Sequence, residues 1–177
     1  MRKTVLAIAL LGVSLVPGFA QEPPGGRRGT GLPVPRYVSL KTDRVNLREG
    51  PSKDHRTAWV YQRAGLPVEI VAEYETWRRI RDSEGTEGWV LHSLLSGRRT
   101  ALIMPWAKEP AAPLLLLSEA EDKANTVARV EPGVVVGIQS CTGGWCRAQA
   151  VVDGGRDLAG YIRQDRLWGV YPDEKVE

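Results

Sequence analysis

Apolar and polar residues alternate with a period of two along Leu66, Val68 and Ile70, and again along Val134, Val136 and Ile138. Successive side chains of an extended chain point to opposite sides, so each triplet is one strand face turned to a core. The two stretches belong to a repeat. At an offset of 68, Gly65–Ile70 falls on Gly133–Ile138 and Trp77-Arg78-Arg79 falls on Trp145-Cys146-Arg147. Beyond the tryptophans the offset becomes 72, setting Gly88-Trp89-Val90 on Gly160-Tyr161-Ile162. Self-similarity at a fixed spacing marks a duplicated unit. The four extra residues of the second copy fall in a hairpin loop around Asp153-Gly154-Gly155, where insertions are tolerated. Short strands about eight to twelve residues apart, with no long helical pattern, predict an all-β protein built as two small barrels.

The pattern is different at the N-terminus. Arg2 and Lys3 precede an apolar run from Val5 to Val16, and Gly18-Phe19-Ala20 supplies the small residues a signal peptidase accepts. The run is well short of the roughly 20 residues a membrane-spanning helix needs. Residues 1–20 are therefore read as a signal peptide cleaved after Ala20, and the mature protein as periplasmic or secreted with no membrane span. Gln21–Arg36 is rich in Pro and Gly with only Leu32 and Val34 as sizeable apolar side chains. It is read as a disordered spacer, because it buries too little to offset its chain entropy. The remaining boundaries are a first unit over 37–104, a connector over 105–113, a second unit over 114–172 and a tail over 173–177.

Charge excludes little once the leader is removed. Of 24 basic residues, the loss of Arg2 and Lys3 leaves 22 against 21 acidic ones, which gives no reason to invoke nucleic acid. Arg78, Arg79, Arg81, Arg98 and Arg99 make a local basic excess, facing either envelope carboxylates and phosphates or plain solvent. Trp106, in the connector, either caps an interface between the units or stands exposed.

Two cysteines lie in the stretch Ser140-Cys141-Thr142-Gly143-Gly144-Trp145-Cys146. Gly143-Gly144 suits a two-residue turn with positive φ at its centre, which makes Thr142 face Trp145 and Cys141 face Cys146. Facing residues of a non-hydrogen-bonded pair approach closely enough for a disulfide. In the first copy Glu73 and Arg78 occupy the same two positions and Tyr74 faces Trp77, so an opposite-charge pair stands where the second copy has sulfur. Zinc would need two more ligands, and His55 and His92 lie in the other copy at unsuitable spacing. Redox cysteines belong at helix starts rather than across a strand turn. The pair is read as a structural disulfide, with no metal and no cofactor.

The first copy resembles the bacterial SH3-like (SH3b) domain family. The resemblance lies in Val45–Ser52 (VNLREGPS), Gly65–Arg81 (GLPVEIVAEYETWRRIR) and Glu87–Leu95 (EGWVLHSLL). The second copy keeps PGVVVGIQSCTGGWCRA and GYIRQDRLWG, but has LLLLSEAED where the Asn-Leu-Arg-x-Gly-Pro entry belongs. The resemblance implies two small SH3-like barrels in tandem, as in exported proteobacterial proteins of this kind. It also implies recognition of cell-wall peptidoglycan, its stem peptides, or an envelope protein. The candidate ligand surface lies near the first entry loop: Asn46, Arg48, Tyr61, Tyr74 and Trp89, with Arg48 the reader of carboxylates. Trp77 and Trp89 are open to a second reading as core or hairpin residues, and Arg48 as a loop pin.

Nothing in the pattern calls for catalysis. The mature chain has no G-x-S-x-G, no Cys-His arrangement and no phosphate-binding or dinucleotide loop. Glu84 and Glu87 sit on a hairpin tip without the apolar burial that makes a general acid. The expectation is a non-enzyme: a periplasmic adaptor, or alternatively a scaffold presenting a composite surface of two packed domains.

Overall fold

The computed structural model describes residues 29–108, 112–152 and 156–177. The signal-peptide segment, Gln21–Arg28 of the spacer, and the Asp153–Gly155 loop lie outside the described residues. Within them the chain forms two sheets of seven strands each. The first contains β1 (Arg36–Leu40), β2 (Val45–Arg48), β3 (Thr57–Tyr61), β4 (Pro67–Tyr74), β5 (Trp77–Arg81), β6 (Glu87–Leu91) and β7 (Leu95–Ser96). The second contains β8 (Thr100–Ile103), β9 (Leu114–Leu117), β10 (Thr126–Val130), β11 (Val135–Thr142), β12 (Trp145–Val152), β13 (Arg156–Arg163) and β14 (Leu167–Trp168). A single 3₁₀ turn precedes the last strand of each, at His92–Leu94 and Gln164–Arg166.

The strand orders are β3-β2-β6-β5-β4-β1-β7 and β10-β9-β13-β12-β11-β8-β14. Position by position these are the same order. The duplication extends to irregularities, since register shifts between Ile70 and Ala72 in one copy and between Ile138 and Ser140 in the other. An extra residue at such a point bends and twists the strand. Each copy therefore carries its bend at the same place.

Each sheet encloses its own apolar core. Leu40, Val45, Leu47, Val68, Ile70, Ile80 and Val90 form the first, in agreement with the period-two reading. Leu116, Val136, Ile138, Ala148, Ile162 and the two cysteines belong to the second. Glycine in the Gly-Trp-Val strand is a packing requirement. A Cβ on Gly88 would stand 2.5 Å from Leu47 Cγ, and one on Gly160 would stand 2.6 Å from Leu116 Cγ. Only a bare backbone lets the strand close onto its neighbour.

Two boundaries are corrected by the sheet order. Thr100–Ile103, read as the end of the first unit, pairs with β11 and β14 and is the counterpart of β1. The connector read over 105–113 therefore falls within the second unit, after β8, with its residues 109–111 outside the described residues, and the junction between domains is Gly97–Arg99. Trp106 in that connector is 53% exposed, so the exposed alternative holds. The end of the chain is not a loose tail either. Val176 is buried and exchanges backbone hydrogen bonds with Cys141, at 2.9 and 3.2 Å. At the other end, part of the segment read as spacer is placed: Arg36 opens β1 and Thr30 bonds to Glu73.

The hairpin reading holds in both copies. Cys141 pairs with Cys146 and Thr142 with Trp145, and the cysteines form a disulfide. Gly143 and Gly144 both have positive φ, at 59° and 79°, as this turn demands. In the first copy Glu73 pairs with Arg78 and Tyr74 with Trp77.

The domains touch through a polar and aromatic contact. Tyr37 lies against Trp168 and Tyr171, with ring centroids 5.1 and 4.6 Å away. The Tyr171 hydroxyl donates to Glu69 at 2.8 Å, and Arg81 donates to the other oxygen of that carboxylate at 2.9 and 2.5 Å. Thr100 Oγ1 donates to the Gly65 carbonyl at 2.8 Å.

Candidate functional site

Asn46 and Arg48 alternate with the inward Val45 and Leu47, so both project from the outer face of β2. With Arg44, Lys53, Trp77, Leu91 and Leu94 they line a cavity of about 260 Å³ on the first domain. Its polar wall is cationic. Arg44, Arg48 and Lys53 make no salt bridge among the described residues, whereas Trp77, Leu91 and Leu94 supply an apolar floor. Arg48 also anchors the loop after β2, where its Nη1 donates to the Lys53 carbonyl at 3.0 Å and the His55 carbonyl at 2.7 Å. Those bonds fix the loop that brings Lys53 to the cavity.

The five candidates from the sequence do not form one patch. Trp89 pairs with Arg48 across β6 and β2, and Tyr74 meets Trp89 edge to face at 6.5 Å. These three, with Asn46, share one side of the domain. Tyr61 does not, because it lies with Val45 and Leu47 on the inward side and is buried. Its hydroxyl donates to Asp82 at 3.0 Å. Burial, then the Asp82 carboxylate, push that hydroxyl well above its ordinary range. Tyr61 thus stands apart from this cavity as a buried residue of the first core, because its inward position at the barrel end sets its ring among apolar side chains.

Arg44, Lys53 and Trp77 were missed as lining. Arg44 and Lys53 flank the entry motif in the stretch Arg44-Val45-Asn46-Leu47-Arg48-Glu49-Gly50-Pro51-Ser52-Lys53, and that bracketing by cations is the signal that could have found them. The other local basic excess is mostly spent inside the molecule. Arg78 meets Glu73 at 3.2 Å, Arg79 meets Glu87 at 2.8 Å, Arg81 meets Glu69 at 2.5 Å and Arg99 meets Glu174 at 2.7 Å.

The second domain treats the same position differently. Leu91 pairs with Trp77 in the first copy, and Arg163 pairs with Trp145 in the second. The Arg163 guanidinium lies 4.4 Å from the centre of the Trp145 ring and forms an ion pair with Asp122. Leu117, opposite Tyr161, takes the place that Arg48 holds opposite Trp89. The apolar entry segment thus leaves the second copy without a counterpart of Arg48, and Arg163, paired with Asp122, lies over the indole.

Two domains with one strand order, each with a Trp-bearing hairpin and a Gly-aromatic strand, define a tandem of small β modules. The bacterial SH3 domain model matches residues 41–97 and 111–169, and the chain belongs to this family. No curated protein matches the chain. Solved structures with partial likeness include NlpC2 from Trichomonas vaginalis, at 16% identity and TM-score 0.33, over 76% of this chain and 48% of that one. NlpC1 from the same organism is 16% identical at TM-score 0.33, over 78% and 47%. The chain spans about half the length of each.

Proposed function

We propose that the protein is an exported, non-catalytic binding protein whose first SH3 domain captures carboxylate-bearing ligands of the cell envelope. Peptidoglycan stem peptides fit that description, and so does an acidic wall-associated protein. The observation that carries the reading is the cavity in which Arg44, Arg48 and Lys53 surround Asn46 beside the Trp77 indole. Charge-assisted hydrogen bonds to a carboxylate are the strong ones available to a shallow site, and Asn46 adds an amide that both donates and accepts. The second domain, with Arg163 already paired, serves as support in this scheme. A scaffold role is favoured by one observation, the Tyr37, Glu69 and Tyr171 contact, which would hold both domains as a single composite surface.

Retention of residues 21–177 on purified sacculi tests the reading. Wild-type protein is retained, and Arg44→Ala with Lys53→Ala together weaken retention roughly tenfold, about what losing one or two charged hydrogen bonds costs. These two report on the site more cleanly than Arg48→Ala, which also releases the loop. Absence of wild-type retention removes the wall, and retention unchanged in the double variant removes the cavity.

A further inference from the structure

A second cavity, of about 390 Å³, lies where the two domains meet, lined by Trp59, Tyr61, Asp82 and Glu84 from the first and by Leu102 and Pro105 from the second. None of its lining residues is cationic. The two sides are tied together next to it, where Arg63 Nη1 donates to the Gly133 carbonyl at 3.1 Å. Asp82 is fully committed: it accepts from Tyr61 and from the amides of Glu84 and Thr86, at 3.0 and 2.8 Å for the amides. The Glu84 carboxylate has no partner among the described residues. Trp59 is 59% exposed, and β3, which carries it, ends its sheet, with no strand of the sheet on its outer side.

We infer that this cleft takes a lysine or arginine side chain from an extended peptide that adds to the outer edge of β3. An open strand edge offers main-chain hydrogen bonds at every second residue, and side chains of the added strand fall on alternate faces. One such side chain reaches the Trp59 indole, whose face attracts a cation, and Glu84 provides the counter-charge. Asp82 and Glu84 outnumber the Arg63 cation at the rim, so a carboxylate ligand is disfavoured here and belongs in the cationic cavity. A neutral sugar gains from the indole but nothing from Glu84. The inference does not depend on wall binding.

The test uses residues 21–177 and an N-acetylated, C-amidated peptide of alternating valine and lysine, followed by backbone amide shifts and the Trp59 indole signal in NMR titration. Shifts along Thr57–Tyr61 are expected. Trp59→Ala weakens binding about three- to tenfold and Glu84→Gln about two- to fivefold, the range of exposed cation–π and ion-pair contacts. A peptide with threonine in place of lysine binds at least about fivefold more weakly. Arg44→Ala with Lys53→Ala leaves the titration unchanged, which separates this cleft from the other cavity. The inference is overturned by silence along β3, by equal binding of the threonine peptide, or by affinity indifferent to Trp59→Ala. Tighter binding of N,N′,N″-triacetylchitotriose at Trp59 overturns it in favour of a glycan.

Discussion

At Glu73 donors from three residues converge on one carboxylate: Arg36 at 2.6 Å, Arg78 at 3.2 Å, and the amide and hydroxyl of Thr30 at 2.5 and 2.9 Å. Burial opposes the charged form, and the bonds from Arg36 and Thr30, with the Arg78 charge, outweigh it and hold the carboxyl at about 2. A group depressed in this way stabilises the fold above its ordinary value of 4.5, and loses that contribution as the pH falls through the folded value. Glu73→Gln should therefore cost on the order of 1–2 kcal/mol at neutral pH, solvent screening reducing what the full shift would give. Denaturation curves of variant and wild type should converge as the pH drops from about 4.5 to about 2. The Glu73–Arg78 half of this cluster was legible, because a hairpin register can be counted from its turn. Arg36 and Thr30 were not, since a Pro/Gly-rich segment shows no periodicity and its docking depends on a partner some forty residues away.

Among elements, the Cys141–Cys146 hairpin does more than close a turn. Cys141 also carries both backbone hydrogen bonds to Val176, so the staple and the last strand contact share one residue. Closing so short a ring contributes roughly 2 kcal/mol in the chain-entropy model. Cys141→Ala with Cys146→Ala should lower unfolding free energy by about that amount, and amide exchange at Val176 should speed up in step. Hairpins of this kind are easy to read, with alternation, a Gly-Gly turn and a tryptophan as ruler. Strand β8 is not. Thr100-Ala101-Leu102-Ile103 is buried throughout and shows no alternation, so nothing in its pattern separates it from the end of the preceding unit. Only Asn46 and Arg48 of the cationic cavity were legible through the entry motif. The inward turn of Tyr61 was obscured, because a tyrosine with a polar end reads equally well as surface.

For the molecule as a whole, ionisable rings sit in the seam between domains. Burial, and then the Glu69 charge, push the Tyr37 hydroxyl up to about 12. Burial and the bond to Glu69 push Tyr171 higher as well. Raised values favour the neutral phenol in the closed arrangement, so this stabilisation is complete below the ordinary value of 10.0, and is lost as the pH rises through the folded values. Small-angle scattering should show the two domains separating as the pH rises from about 10 through about 12. Tyr171→Phe, which keeps the ring and deletes the titrating donor, should weaken the seam already at neutral pH by leaving Glu69 with one partner fewer, and should make its opening less sensitive to pH above 10.0.

The placement of β8 has a practical corollary for anyone cutting the gene into halves. A fragment begun just after Met104 would lack an interior stave, and its β11 would lose one neighbour and β14 its support. The same excision would leave the first half trailing four sticky apolar residues. Scissors belong in the glycine-arginine-arginine step, Gly97–Arg99, where severing the backbone spares every ladder on either side.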